Sequence, residues 1–373
     1  MTITLLEEVH GISTVSLTRA PESAMVASPQ KGGDMRTGTW RASRVLACAL
    51  MLLTGSSCTD SRPTPTSSTA ARSSRSPDLD VTNASNTVCG VISGTLVITE
   101  NTRLSCDVVC TNETGPCIQF GKDNITLWLN GFTMTGPAVP PAACAASPAF
   151  GPGNPGPFPY DGISTAGFDH VKVRGPGMVQ QFRRHGVFVF ESEKAKVEQV
   201  TSHFNCYSGI LLGLANDNEI KENVSVRNGR ASGTAPCGGN CITNSNNNWI
   251  HRNHYHGNGS IVSGGPTGTP NDFGVGLVGT SSHNLIENNS IGGNINGILI
   301  FPLTRDNLIR RNIIAGNPPV QVSPTLTGSP VGVDIRDASP PGANTFHENL
   351  CVSYEGATMP PPCPSFPKYS THH

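Results

Sequence analysis

The strongest constraint on this chain is a spacing of asparagines. The pattern N-x-[I/F]-x-x-N occurs as Asn218-Ile220-Asn223, Asn248-Ile250-Asn253, Asn284-Ile286-Asn289, Asn307-Ile309-Asn312 and Asn344-Phe346-Asn349. Four copies continue to another asparagine five residues on: Asn228, Asn258, Asn294 and Asn317. Val200 to Asn205 repeats the last step in degenerate form. A second mark precedes each copy, a small residue and then a β-branched one. The pairs are Cys117-Ile118, Gly162-Ile163, Gly186-Val187, Gly209-Ile210, Cys241-Ile242, Gly274-Val275, Gly297-Ile298 and Gly332-Val333. The shortest intervals are 24 residues (162 to 186) and 23 (186 to 209 and 274 to 297).

A period of this length fits one coil of a parallel β-helix. Each coil carries short strands with inward Ile, Val and Leu, and cannot bury that apolar face alone. Stacking buries a continuous core and pairs each strand with those above and below, about 4.8 Å away. Asn at the turns tolerates left-handed backbone and can form an amide ladder along the stack. Gly at the coil start permits a tight corner. A leucine-rich repeat needs a regular Leu spacing, which is absent. A sandwich or propeller needs hairpin turns and alternation rather than an asparagine column. The expected fold is all-β, a single-stranded right-handed parallel β-helix of about nine to eleven coils over residues 88–355. A C-terminal tail, 356–373, follows.

Composition agrees. Charged residues are only 14%, while Gly (41) and Pro (30) are abundant, which suits short strands and many turns. A formal net charge of −1 supplies no overall field for nucleic acid, so none is expected as a partner. Twelve cysteines without a CxxC pair argue against a zinc ribbon and for oxidised pairs in an exported protein.

The N-terminus supports export. Arg36, Arg41 and Arg44 precede the apolar run Val45 to Leu53, and small residues lead to Cys58. The run is far short of the roughly 20 residues that span a bilayer. The ending Gly55-Ser56-Ser57-Cys58 resembles a bacterial lipoprotein cleavage box, with Cys58 as the lipidated residue. Two localisations stay open: a cell-envelope lipoprotein, touching membrane only through that anchor, and a secreted protein. Residues 1–34 are an over-extended start ahead of Met35, or else a long leader; residues 1–58 together form the N-terminal extension and export signal. Residues 59–87, rich in Ser, Thr and Pro, are expected to be a disordered tether. Ten cysteines then remain for pairing: Cys89, Cys106, Cys110, Cys117, Cys144, Cys206, Cys237, Cys241, Cys351 and Cys363. Bridges from Cys206 to Cys237 or Cys241, or between Cys237 and Cys241, are open, and Cys144 is placed to staple the first insertion.

From about Cys89 to Cys351 the sequence resembles the pectate-lyase-like right-handed parallel β-helix superfamily, particularly bacterial exported members with short β-helix repeats. Cys89-Gly90 through Cys110, and Asn124-Ile-Thr-Leu-Trp-Leu-Asn130-Gly131, look like the first coils of those members. The resemblance implies a polysaccharide or other glycan as partner. No cofactor is expected, and calcium is the one ion the resemblance leaves open, although the superfamily's calcium-binding Asp cluster is not recognisable. A monomer is expected.

The extra residues of the long coils fall near 137–160, 230–240, 259–272 and 318–330. All four stretches lie after the last asparagine step and before the next small-apolar pair. They therefore leave the coil at one corner and should wall a groove suited to a chain-like ligand. Polysaccharide β-elimination needs a base for the C5 proton and a cation for the uronate carboxylate. Arg183, Arg184 and His185, with Tyr207 one coil on, are the catalytic candidates, and Asp161, His203, Tyr255, His256 and Asp272 are the substrate-binding ones. Against catalysis, Phe188, Phe190, Leu211, Leu299 and Phe301 are expected to face outward where lyases place charged groups. The paired-Asp and Gly-His-Gly patterns of the polygalacturonase-like hydrolases are missing, as is the Asp-Pro-His-Asp of alginate epimerases. Two functions remain: a polysaccharide-lyase-like enzyme and a non-catalytic glycan-binding or surface interaction module. His251, His254 and His256 share a cluster in which His254 and His256 lie on one strand face. His203 is expected in the same column, with Val226 between, too far for a shared metal, and no metal site is assigned. Glu198, Lys221, Glu287 and Arg310 should form a mixed-charge ladder.

Overall fold

The structure is a computed structural model and describes residues 86–112, 114–137, 144, 160–230, 238–259, 272–317 and 332–363. The export segment with Cys58, the tether up to residue 85, Cys237, most of each insertion and the end of the tail lie outside the described residues, and Asn86 and Thr87 already belong to the first strand.

Every strand pairing among the described residues is parallel, and each coil contributes three short strands. The leading strands form a sheet of ten, from Leu96–Ile98 through Val187–Phe190, Ile210–Gly213 and Asn296–Ile300 to Tyr354–Gly356. The middle and trailing strands make two further stacks. These join as one 16-stranded sheet because Thr102–Cys110, Lys172–Gln180 and Lys196–His203 run through both. The chain is thus a right-handed parallel β-helix, and ten rungs about 4.8 Å apart make a stack about 43 Å long.

The asparagine repeat sets the register. Ile220, Ile250, Ile286 and Ile309 stack in one column, all fully buried, with Phe346 above them. Three amide ladders run parallel to that column. In the central one, the backbone N–H and Nδ2 of Asn223 both donate to Oδ1 of Asn253, at 2.9 and 3.0 Å. Asn253 repeats this toward Asn289, Asn289 toward Asn312 and Asn312 toward Asn349. Each Nδ2 also donates to a main-chain carbonyl one coil earlier, as Asn253 does to Ile220 at 2.9 Å. The amides therefore satisfy the turn's buried backbone groups as well as one another.

Two details of the repeat differ from expectation. The left-handed backbone falls on the residue before the asparagine: Glu222, Arg252, Asn288, Arg311 and Glu348 have φ of 51–55°. That residue turns the chain, so the asparagine side chain can point inward and reach the next coil. The small-residue column is also re-phased at two coils. Ile210 pairs with Asn240, which makes Gly239-Asn240, not Cys241-Ile242, the equivalent pair; Ile298 pairs with Ile335, so Asp334-Ile335 replaces Gly332-Val333. The glycines serve close stacking: a Cβ at Gly186 or Gly274 would lie 2.7 or 2.9 Å from the carbonyl oxygen of the glycine one coil on.

The mixed-charge ladder runs on the outside of the middle stack. Arg174, Glu198, Lys221, His251, Glu287 and Arg310 are in register. Glu198 bridges Arg174 (2.5 Å) and Lys221 (3.0 Å), and Glu287 holds Arg310 (2.7 Å).

Four disulfides staple the rod: Cys89–Cys106, Cys110–Cys117, Cys144–Cys206 and Cys351–Cys363. Cys206 thus pairs with Cys144 and not with Cys237 or Cys241. Cys241 is free and buried, in register with Leu211 and Gly276 on the outside of the leading stack, while Cys206 sits back at the corner.

Candidate functional site

The corner that carries the insertions brings the expected catalytic residues together and buries all but Arg183. Arg184 is 1% exposed and His185 4%; Tyr207 and Asp161 are also buried. Arg184 Nη1 lies 3.6 Å from Asp161 Oδ2, and the His185 backbone N–H donates to Asp161 Oδ1 at 3.1 Å. The Ser208 backbone N–H donates to His185 Nδ1 at 3.2 Å, and Arg184 Nη2 lies 3.3 Å from Nε2. The ring thus meets N–H groups on both sides, which opposes a second proton. Burial and the Arg184 charge hold His185 well below the usual histidine range. Burial pushes the Asp161 carboxyl up to about 6, against the pull of Arg184 and the hydrogen bond from His185. Arg183 is half-buried, its guanidinium 5.2 Å from the centre of the Tyr160 ring.

The outward row beside this corner is apolar as expected. Phe188, Phe190, Leu211, Phe273 and Leu299 are buried in a cluster separate from the main core, with Phe301 packed against it. The Phe273 ring lies over Gly276, where a Cβ would come within 2.3 Å of it. Of the catalytic candidates, Arg184, His185 and Tyr207 are thus buried beside an equally buried strand face, while Arg183 is half-buried.

Of the expected substrate-binding residues, Tyr255 points into the core, fully buried, with its hydroxyl 3.4 Å from Asn240 Nδ2. Strand alternation places it inward between His254 and His256. Asp272 is buried as well, its carbonyl accepting from Asn296 Nδ2 at 2.8 Å. His203 is half-buried and rests on Phe204, ring centres 4.0 Å apart; burial, then the Arg227 and Arg230 charges, lower its pKa. His203, Val226 and His256 share a column, and His256 is exposed. His254 and His256 flank a cleft of about 280 Å³ that also includes Ser290, Gly293 and Ile313.

The open site that the sequence reading missed is on the outside of the middle stack. A cleft of about 530 Å³ is lined by His170, Lys172, Lys194, Lys196, Asp217, Glu219, Asn247 and Trp249. Lys172, Lys196, Glu219 and Trp249 occupy one column on four successive coils. His170, Lys194, Asp217 and Asn247 line the turn beside it, each with φ of 53–57°. Trp249 is 41% exposed but fixed: its Nε1 donates to Glu287 Oε1 at 2.9 Å, and its ring stacks on His251, centres 3.9 Å apart. His251 Nε2 in turn lies 3.1 Å from Glu219 Oε1. Burial disfavours the charge of Glu219, but hydrogen bonds from Lys196 and His251 and the charges of Lys196 and Lys221 outweigh it and keep the carboxyl below the usual range. The signal was in the repeat itself, since the residue before the inward Ile of N-x-I must face out, and in one coil it is Trp249.

The family model described as "Periplasmic copper-binding protein (NosD)" matches residues 152–326. No curated protein matches the chain. Among solved structures, a mutant of the periplasmic alginate epimerase AlgG is similar at 16% identity and a TM-score of 0.47, over 71% of this chain and 58% of that one. The Dettilon tailspike protein (gp208) is similar at 15% and 0.46, over 71% and 55%. The Azotobacter vinelandii mannuronan C-5 epimerase AlgE6 A-module is similar at 13% and 0.36, over 75% and 91%. The chain spans under two thirds of the epimerase AlgG and of the tailspike. The fold assignment rests on the strand register above.

The described residues do not fit a copper centre. They contain no group of three His, Cys, Asp or Glu side chains placed to hold a metal ion. His254 and His256 are a pair only, with ring centres 6.2 Å apart. Met178 shares the His254 column but is three rungs, about 14 Å, away. Burial pushes the Cys241 thiol up to about 12, and Cys241 belongs to no group of potential metal ligands among the described residues. The four disulfides among the described residues fit an oxidising setting outside the cytoplasm. Among the described residues no helix is long and apolar enough to cross a membrane.

Proposed function

We propose, taking the pectate-lyase-like right-handed parallel β-helix as the premise, that this protein is an extracytoplasmic glycan-binding module that does not cleave its ligand at the Arg183–His185 corner. The observation that carries this is Trp249, a half-open indole locked by Glu287 and His251 at the edge of a polar cleft. An aromatic face held in advance loses little entropy when a sugar ring stacks on it, and the surrounding lysines, carboxylates and amides can bond its hydroxyls. The corner offers the opposite: a buried guanidinium, a neutral imidazole and an enclosed apolar row. Export by the segment ending at Cys58, as a lipoprotein or a secreted monomer on a 59–87 tether, belongs to the same proposal. An intact mass of the exported chain separates lipidated from free forms.

The test is binding of the full exported chain to a panel of neutral and uronate polysaccharides, followed by Trp fluorescence and calorimetry. Trp249→Ala should weaken binding about tenfold or more, with no ultraviolet-absorbing unsaturated product from any member. Turnover that disappears when Arg183, Arg184 and His185 are all replaced by Ala would restore the lyase reading. Binding that is indifferent to Trp249→Ala would remove the site.

A further inference from the structure

The cleft beside Trp249 is not uniform along the stack, and its order of charges limits what can lie in it. Its first two rungs present His170, Lys172, Lys194 and Lys196. The third presents Asp217 and Glu219, and the fourth Asn247 and Trp249. The cations are unevenly used. Lys196 is 2.6 Å from Glu219, whereas Lys172 and Lys194 have no ion-pair partner among the described residues. The acids differ too. Glu219 is paired with Lys196 and Lys221 and hydrogen-bonded to His251, while Asp217 is exposed and outside that network.

Resting on the glycan-binding reading, we infer that the cleft selects an oligosaccharide whose anionic groups are spaced along the chain, over one charged on every sugar. A ring stacked on Trp249 leaves the chain running along the stack axis. An anionic group then meets Lys196 two rungs away, about 10 Å, and Lys172 and Lys194 at two to three rungs, about 10–14 Å. Between them an anion would lie against Asp217, where like charges repel. A ligand neutral over the Asp217 rung and anionic over the lysine rungs satisfies both ends. A single sugar reaches only one. Carboxylate and sulfate are equivalent for the lysines.

The experiment measures affinities of the full chain for hyaluronan (a carboxylate on alternate sugars), κ-carrageenan (a sulfate on alternate sugars), polygalacturonate (a carboxylate on every sugar) and dextran (neutral). Hyaluronan or κ-carrageenan should bind about tenfold more tightly than polygalacturonate, with the stronger of the two identifying the anion. Lys172→Ala with Lys194→Ala should lower that affinity to the dextran level and flatten its dependence on salt. Asp217→Asn should raise polygalacturonate binding several-fold and leave dextran unchanged. Hyaluronan disaccharide should bind far more weakly than the octasaccharide. Circular dichroism of each surface variant confirms the fold. Polygalacturonate binding as tightly as the spaced chains, with no response to Asp217→Asn, overturns the inference. If all four bind alike and Trp249→Ala removes binding, the glycan-binding reading stands and only the charge selection falls. If none binds, both fall.

Discussion

Two edges of the same rod treat equivalent repeat positions in opposite ways. At the insertion corner, charged and aromatic residues are enclosed: Asp161, Arg184 and His185 share one another's polar groups, and Phe188, Phe190 and Leu211 form a second apolar cluster outside the sheet. On the middle stack, charges such as Lys196, Lys221 and Arg310 stay at the surface and pair along the rungs, and Trp249 stays half open. The strand geometry is alike in both places. What differs is how deeply the outward side chains are buried. A residue's role in a solenoid therefore follows from its burial more than from its place in the repeat.

The largest effect should come from the strap at the corner. Cys206→Ser opens the bond to Cys144, which closes a 62-residue loop, and should cost about 4 kcal/mol in denaturant unfolding. Retained stability would mean that the corner is held by packing alone. Next, Asn253→Ala removes an amide of the central ladder, at the turn between the middle and trailing strands. It strands buried N–H groups of Asn223 and should cost about 3 kcal/mol. A much smaller loss would show that the ladder is not the common frame.

The third contrast is with pH. Asp161 titrates near 6 when folded, against 3.8 for an ordinary aspartate. The folded state keeps this proton longer, so its stabilisation is full below about pH 4 and is lost as pH rises through 6. The difference amounts to about 3 kcal/mol. The stability gap between wild type and Asp161→Asn should therefore widen from pH 6 to pH 4. His185 has the opposite sign. Its folded pKa lies well below 6.5, so its contribution is present above that pH and lost as pH falls. The gap between wild type and His185→Gln should shrink over the same interval. Titration curves that cross in the other sense would show that the two groups are solvated.

On the middle stack the effects should be smaller. Glu287→Gln weakens the hold on Arg310 and Trp249 and should cost about 1 kcal/mol, with a red shift of Trp emission as the indole loosens. The exposed Arg311–Glu348 pair is the lower limit, and Arg311→Ala should leave the melting temperature unchanged within error.

Particular residues show how far the sequence could be read. Ile220, Ile250, Ile286 and Ile309 sit as their spacing required, because a strand's period of two and a fixed turn length leave one register that buries them. His203 and His256 share a column through Val226 for the same reason. Tyr255 was misplaced because it was read for its chemistry and not for its place between two outward histidines. The repeat leaves the partner of Cys206 open, because Cys144 lies in an insertion, where the repeat gives no position. Trp249 was overlooked because a platform is defined by what fixes it, and Glu287 and His251 come from that rung and the next.

The winding is legible in the order of amino acids alone: which side chains point in, where the amides stack and which charges align. These follow from local periodicity, which the coils repeat. Folding in three dimensions settles which outward residues meet solvent, that Arg184 and His185 are buried, and that lysines from two coils converge with an indole two rungs on. Those are matters of distance and burial between coils, and no spacing within one coil encodes them.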